Sequence, residues 1–254
     1  MVWTRLTSLF KPQPAEPKLA PGVTVYAIGD IHGRADLLED LLGKIQADAA
    51  PENENTLIFV GDYIDRGPHS AAVVERVSAL DWPGWTIIRL KGNHEQALLD
   101  FLSNPETYQQ WRNFGAPETL WSYGVKPPSF SNAASIYEAQ EAFRVAFPRH
   151  HLAFFMDLKE SYSVGGYFFA HAGVRPGIAL ERQVAGDLLW IRDEFLLSEE
   201  DFGKVVVHGH SPSERPIRRS NRIGIDTGAY VTNVLTAVKL SGDAVSFLSA
   251  SIGQ

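Results

Sequence analysis

Apolar residues in this chain fall into short runs that end in polar, glycine-bearing loops. Between the runs they recur at helical spacing. Val23-Thr24-Val25-Tyr26-Ala27-Ile28 predicts a buried strand, closed by Gly29-Asp30-Ile31-His32-Gly33. Leu37, Leu38, Leu41, Leu42 and Ile45 then repeat with the period of a helix, from about Ala35 to Ala49. After a turn at Pro51-Glu52-Asn53-Glu54-Asn55, the run Thr56–Val60 predicts a second strand. It leads into Gly61-Asp62-Tyr63-Ile64-Asp65-Arg66-Gly67 and a helix over Ala71–Leu80. Trp85–Leu90 predicts a third strand, followed by Gly92-Asn93-His94-Glu95 and a helix through Leu102. A strand, a polar loop and a helix therefore recur three times in the first hundred residues. That alternation implies parallel strands joined by right-handed crossovers, with the polar loops on one edge of a sheet.

Residues 103–158 break the rhythm. Segments near Pro105–Phe114, Ala116–Ser122 and Ala133–Phe147 predict helices, with turns at Gly124 and Pro127-Pro128. We read this stretch as a helical insertion over the loops. Its aromatic residues (Tyr108, Trp111, Phe114, Trp121, Tyr123) suit core packing first and a substrate wall second. From Glu160 the pattern turns to β. Ser161–Val164 and Tyr167–Ala170 flank Gly165-Gly166 as a hairpin, and the second strand delivers His171. Asp187–Arg192 predicts a short helix or turn, and Val205-Val206-Val207 leads to His208-Gly209-His210. Strands at Arg222–Ile225, Val231–Leu240 and Ala244–Leu248 close the chain. The expected fold is α/β: two packed mixed β-sheets flanked by helices, with a helical insertion, in one domain over residues 23–254. Residues 1–22 read as a tail, with Trp3, Leu6, Leu9 and Phe10 ahead of a proline-rich linker.

Composition narrows the function. Hydrophobic residues at 44% and charged residues at 21% are ordinary for a soluble protein. A net charge of −7 argues against a nucleic-acid surface. The basic group Arg215, Arg218, Arg219 and Arg222 reads as a solvated loop. There is no cysteine, which excludes cysteine-nucleophile hydrolases, cysteine-dependent phosphatases included. No apolar run reaches the roughly 18 residues of a membrane span, and no signal peptide is visible, so the expected compartment is the cytoplasm.

The polar loops carry the chemistry. Asp30, His32, Asp62, Asn93, His171 and one of His208/His210 all follow strands closely, where their side chains can converge. Five of the eight histidines lie in these loops. Carboxylate and imidazole donors without sulfur suit divalent ions such as Mn²⁺, Fe or Zn²⁺. The donors divide between two ions, Asp30 and His32 on one, Asn93, His171 and His210 on the other, with Asp62 as the candidate bridge. A bridging pair of this kind lowers the pKa of a bound water, which supplies a hydroxide nucleophile near neutral pH.

Gly-Asp-Ile-His-Gly, Gly-Asp-Tyr-Ile-Asp-Arg-Gly, Gly-Asn-His-Glu, His-Ala-Gly and Gly-His stand here in the order that resembles the phosphoprotein phosphatase family of calcineurin-like metallophosphoesterases. The resemblance is to the bacterial branch, typified by the phage lambda protein phosphatase. It runs from Gly29 to His210, and Ile225–Ala229 with Leu235–Val238 also look familial. It implies that Asp30, His32, Asp62, Asn93, His171 and His210 hold two divalent ions, Mn²⁺ foremost. It also implies that His94 is the general acid, Asp65 its orienting partner, and Arg66 and Arg192 the phosphate clamps, with Asn93 also near the substrate. The implied activity is hydrolysis of Ser/Thr, and also Tyr, phosphomonoesters in a phosphorylated protein or peptide, with no obligatory protein partner. Symmetrical diadenosine tetraphosphatases share these motifs but usually lack an aspartate at the place of Asp65, which favours the protein phosphatases.

Blander roles stay open for several of these residues. Asn93 with Gln96 resembles a helix cap. Asp65 and Arg66 could be a structural ion pair, and Arg192 could bridge to Asp193 at the surface. His208 competes with His210 for one ligand place, and the Gly-His-Ser-Pro setting favours His210.

Overall fold

The structure, a computed structural model, describes residues 18–129 and 133–252. In chain order the elements begin with β1 (Val23–Ile28), α1 (Ala35–Asp48), β2 (Glu54–Phe59), α2 (Ser70–Ser78), β3 (Thr86–Arg89) and α3 (Asn93–Ser103). Four helices follow, α4 (Tyr108–Trp111), α5 (Ala116–Ser122), α6 (Ala133–Ala146) and α7 (Arg149–Asp157). The second half holds β4 (Ser161–Val164), β5 (Tyr167–Ala170), α8 (Ala185–Trp190), α9 (Asp193–Leu196) and β6 (Val205–His208). It closes with β7 (Ile217–Arg218), β8 (Arg222–Gly224), α10 (Ala229–Thr232), β9 (Val234–Ser241) and β10 (Ala244–Ser251).

Two five-stranded mixed sheets result, ordered β10-β9-β1-β2-β3 and β4-β5-β6-β8-β7. As the alternation implies, β1, β2 and β3 are parallel. In the second sheet β5, β6 and β8 are parallel.

Alternation along each strand explains how the sheets stack. Val25, Ala27, Ile58, Val60 and Ile88 face inward and meet Tyr167, Phe169, Val205, Val207, Ile223 and Ile225 of the other sheet. The intervening Tyr26, Ile28, Leu57 and Phe59 face outward and are covered by Leu37, Leu38, Leu41 and Ile45 of α1 and by Val73, Val74 and Val77 of α2. On the far side, Phe168, Ala170 and Val206 pack under Leu188, Ile191 and Phe195. Strands buried on both faces must be apolar throughout, which is why they read as continuous runs in the sequence.

The insertion packs onto the first core. Phe101 of α3 meets Tyr108, Trp111 and Phe143 at ring distances of 5.6, 5.1 and 6.2 Å. Of the expected tail, Trp3, Leu6, Leu9 and Phe10 lie outside the described residues. Its last segment is part of the packed body: Leu19 is buried and its N–H donates to Gly242 O at 2.9 Å. Val231 and Thr232, expected in a strand, instead form the end of α10, because Asn233 adopts φ 58° and turns the chain before β9.

Arg222, grouped in the sequence with a solvated basic loop, is buried. Its guanidinium donates to the carbonyl of Leu196 and lies 5.9 Å above the Phe195 ring. Arg215, Arg218 and Arg219 are exposed.

Candidate metal centre and active site

The loops after β1, β2 and β3 meet those after β5 and β6 at one edge shared by both sheets. Hydrogen bonds join them directly. Ile31 N–H and His32 N–H both donate to Asp62 O, at 3.0 and 2.9 Å, and Gly33 N–H donates to Tyr63 O at 2.9 Å. Tight packing leaves no room for side chains at two glycines. A Cβ on Gly92 would strike Asp62 Oδ1, and one on Gly209 would strike Asp30 Oδ1. The described residues other than glycine with positive φ are His32, Asp62, Asp65, Arg66, His210 and Asn233. All but Asn233 are predicted site residues. Strain of that kind persists only where the surroundings force it, and it gathers at functional sites.

The donor atoms converge. His171 Nε2 lies 2.8 Å from Asn93 Oδ1, 3.2 Å from His210 Nδ1 and 3.4 Å from Asp62 Oδ1. His210 Nδ1 lies 2.9 Å from Asn93 Oδ1. On the other side of Asp62, Oδ2 is 3.6 Å from His32 Nε2 and 3.6 Å from His94 Nε2. Asp30 approaches from β1 and accepts from the backbone N–H of His210 at 2.9 Å.

Tautomers follow from the opposite ring nitrogens. Nδ1 of His32 faces Ile64 O at 2.8 Å, and Nδ1 of His171 faces Val60 O at 2.9 Å, so each Nδ1 carries the proton. Their Nε2 atoms are then bare lone pairs aimed at carboxylate and amide oxygens. Acceptor facing acceptor at such distances is repulsive unless a cation lies among them. Asp30 Oδ1 and His210 Nε2 are buried without a hydrogen-bond partner. The donor set therefore fits divalent cations. Asp62, His171 and His210 form one cluster whose ligand atoms lie within 4.8 Å of one another, and His32, Asp62 and His94 form another. Asp62 belongs to both.

Electrostatics point the same way. Burial, then the neighbouring Asp226 and Asp62, hold Asp30 well above the usual carboxylate range. Burial and the Glu95 carboxylate do the same to Asp62. Burial pushes His171 down to about 3 and holds His210 low, so both imidazoles are neutral and ready to ligate. Buried carboxylates whose ionisation lacks a counter-charge, beside neutral imidazoles, are the set that divalent ions would complete.

Beside this cluster, His94 Nδ1 lies 2.6 Å from Asp65 Oδ2. Asp65 is fully buried and takes two further bonds, from Trp111 Nε1–H to Oδ2 at 2.8 Å and from Thr119 Oγ1–H to Oδ1 at 2.5 Å. Burial pushes Asp65 up to about 7, against the opposing pull of the Thr119 and Trp111 bonds. Asp65 is thus held by His94, Trp111 and Thr119, and Arg66 turns away to lie 4.6 Å above the Tyr230 ring. Arg192 is directed at the site: it donates to His210 O at 3.3 Å and to Ser211 Oγ at 3.4 Å.

The helix cap left open as an alternative for Asn93 falls to another residue. Gly92 is the N-cap of α3, and Glu95 receives the Gly92 N–H at 2.9 Å. The same carboxylate accepts from Asp62 N–H at 2.8 Å and Tyr63 N–H at 2.9 Å, tying α3 to the Asp62 loop. His208 stands outside the cluster, with its ring 5.0 Å from Phe195 in the core.

Four residues of this site are not among the candidate ligands and catalytic groups that the sequence offers. Glu95 follows the His94 motif directly, and Asp226 lies in the Ile225–Ala229 stretch that looked familial. Trp111 and Thr119 come from the insertion, where nothing in the local pattern marks them as partners of Asp65.

Comparison with known proteins agrees with the geometry. The family model for calcineurin-like phosphoesterases matches residues 23–235. The chain belongs to that family and is a metallophosphoesterase, with candidate metal-ligand groups in its strand-end loops. It is 29% identical over 223 residues to serine/threonine-protein phosphatase 1 of Salmonella typhimurium, covering 85% of this chain and 91% of that one. It is 28% identical over 239 residues to an asymmetrical bis(5'-nucleosyl)-tetraphosphatase of Bacillus velezensis, covering 84% and 87%. A symmetrical bis(5'-nucleosyl)-tetraphosphatase of Janthinobacterium is 44% identical over 77 residues, a match spanning 30% of this chain and only 26% of that relative. A cold-active protein-tyrosine phosphatase of Shewanella shares the fold, with TM-score 0.59 and 15% identity over 93% of this chain and 82% of that one. Among the described residues no helix is long and apolar enough to cross a membrane.

Proposed function

We propose that this protein is a two-metal phosphomonoesterase acting on phosphorylated proteins or peptides in the cytoplasm, with Ser/Thr phosphates accepted and Tyr phosphates also within reach. The observation that carries the reading is the buried Asp65–His94 pair at 2.6 Å. A serine alkoxide is a poor leaving group and requires a strong, well-placed acid, whereas a nucleotide phosphate departs without one.

In this reading Asp30, His32 and Asp62 would hold one divalent ion, and Asp62, Asn93, His171 and His210 the other, Mn²⁺ being the first candidate. When bound, the ions supply charge neutralisation and an activated water near neutral pH. Arg66 and Arg192 bind the phosphate oxygens with paired guanidinium donors and orient them for in-line displacement. His94 Nδ1–H is fixed by Asp65, which leaves Nε2 to protonate the departing oxygen. In the free protein, burial and then the charges of Arg66 and Arg192 hold His94 well below the usual imidazole range. A bound phosphate dianion offsets those two arginines and raises the proton affinity of His94, so the acid is armed by the substrate it serves.

The second reading is a dinucleoside polyphosphate hydrolase, supported by an asymmetrical tetraphosphatase relative at 28% identity over 239 residues and a symmetrical one at 44% over 77 residues. Measuring kcat/KM with added Mn²⁺ on phosphoserine and phosphotyrosine peptides and on diadenosine tetraphosphate separates the two. The proposal expects the phosphopeptides to lead. A preference for diadenosine tetraphosphate would reverse it.

A further inference from the structure

Three histidines lie outside the catalytic loops, His69, His150 and His151. Two of them converge on one carboxylate on another face of the molecule. His150 Nε2 lies 2.9 Å and His151 Nε2 3.0 Å from Glu75 Oε2. His150 and His151 occupy the first turn of α7, and Glu75 lies on α2.

Neighbouring residues on a helix point about 100° apart and do not ordinarily face one target. Here both rings turn inward, 4.5 Å apart at 70° to each other, so that both Nε2 atoms meet the same oxygen. The ring of His151 is fixed from behind, since its Nδ1 lies 2.9 Å from the Tyr123 hydroxyl. An outer hydrogen bond to the far nitrogen is how metal-bound imidazoles are commonly oriented. Access is open on one side: the side chains of His150 and Glu75 are 60% and 59% exposed, while that of His151 is 3% exposed.

We propose that Glu75, His150 and His151 form a divalent-cation site separate from the catalytic centre. The three donor atoms lie within 4.8 Å of one another. In a tetrahedral site with bonds near 2.0 Å, donors stand about 3.3 Å apart, so the two imidazole-to-Glu75 spacings of 2.9 and 3.0 Å need to open by only a few tenths of an ångström. Two imidazoles and one carboxylate select a borderline ion, Zn²⁺ or its spectroscopic substitute Co²⁺, over Mg²⁺ or Ca²⁺. Water completes the open position. Among the described residues no other candidate ligand group shares a residue with it, unlike the two groups that meet at Asp62. Its place suggests a tie. It joins α2, whose first residue Ser70 accepts from Asp65 N–H at 3.1 Å, to α7 of the insertion. Through Tyr123 it also reaches the end of α5, which carries Thr119.

The test compares the full-length wild type with Glu75→Gln and His150→Ala, two exposed substitutions that leave the fold and the catalytic loops intact. Each protein is stripped of metal, titrated with Co²⁺, and followed by metal analysis and by the visible d–d absorption of four-coordinate Co²⁺. The proposal expects each variant to bind one equivalent fewer than the wild type and to lack that absorption in the difference spectrum. Phosphatase activity with Mn²⁺ should stay unchanged in both. Equal Co²⁺ equivalents in all three proteins would overturn it and leave the cluster a hydrogen-bonded surface group.

Discussion

Trp111→Phe removes the indole N–H that donates to Asp65 and keeps a smaller aromatic ring in a buried place, which tests the role of the Trp111–Asp65 bond. Asp65 is pushed up to about 7 by burial, and the Trp111 bond is among the interactions that oppose that push. A hydrogen bond to a charged group contributes about 1.5–3 kcal/mol, which at about 1.4 kcal/mol per pKa unit raises Asp65 by about 1–2 units when the donor is lost. Bound divalent ions draw the carboxylate pKa down in wild type and variant alike, so the shift, not the absolute value, is the quantity to read. Ionised Asp65 is the form that orients His94. Activity that needs the acid is therefore lost as pH falls through the Asp65 pKa, and the substitution moves that acid limb to higher pH. At a pH equal to the wild-type value, the ionised fraction drops from one half to roughly 1–10%, a loss of about 5- to 50-fold. The assay is a pH–rate profile of kcat on a phosphoserine peptide beside p-nitrophenyl phosphate, whose leaving group needs little protonation. We expect the limb to move on the peptide and the aryl ester to be far less affected. An unmoved limb in a folded, metal-replete variant, or equal losses on both substrates, would refute the reasoning.

Asp62→Asn should reduce bound metal by more than one equivalent, because Asp62 belongs to both ligand clusters; elemental analysis that finds one ion retained at unchanged affinity would contradict the bridge. Glu95→Gln places an amide NH₂ against backbone N–H groups that Glu95 now accepts. It should cost about 1–3 kcal/mol in urea unfolding and weaken metal binding with it. Metal removal should make stability depend on pH in an unusual direction. Asp30 and Asp62 are held above the usual carboxylate range, by burial first, so the metal-free native state keeps protons that the unfolded chain releases above about pH 4. The Tm of chelated protein should therefore fall as pH rises from about 5 toward neutrality, and the Tm of the metal-loaded protein should not follow; parallel curves would argue against a metal-neutralised carboxylate cluster.

Much of this architecture is legible in the sequence because it depends on local pattern. Doubly buried strands must be apolar, so β1, β2, β5 and β6 stand out, and each is followed at once by the residues it delivers: Asp30, Asp62, His171 and His210. Residues that act across the chain are not legible in the same way. Trp111 lies 46 positions from Asp65 and Thr119 lies 54 positions away, and nothing in their local sequence points to a carboxylate that far along the chain. Arg222 looked solvated because arginines cluster around it, yet its stem and guanidinium are buried against Phe195 and the Leu196 carbonyl. Glu95 gives no local sign of its reach: its carboxylate accepts from Gly92 N–H at the start of α3 and also from Asp62 and Tyr63 N–H, which fixes the Asp62 loop.

The central claim is that His94, steadied by Asp65, protonates a poor leaving group beside a two-metal centre. Its most direct test is His94→Ala in the Mn²⁺-loaded enzyme, with kcat measured on a phosphoserine peptide and on p-nitrophenyl phosphate, and metal content measured on the same samples. The account predicts both metals retained, with a loss of about 10²–10⁴ on the peptide and a much smaller one on the aryl ester. Equal losses on the two substrates, with the metals still in place, would contradict it.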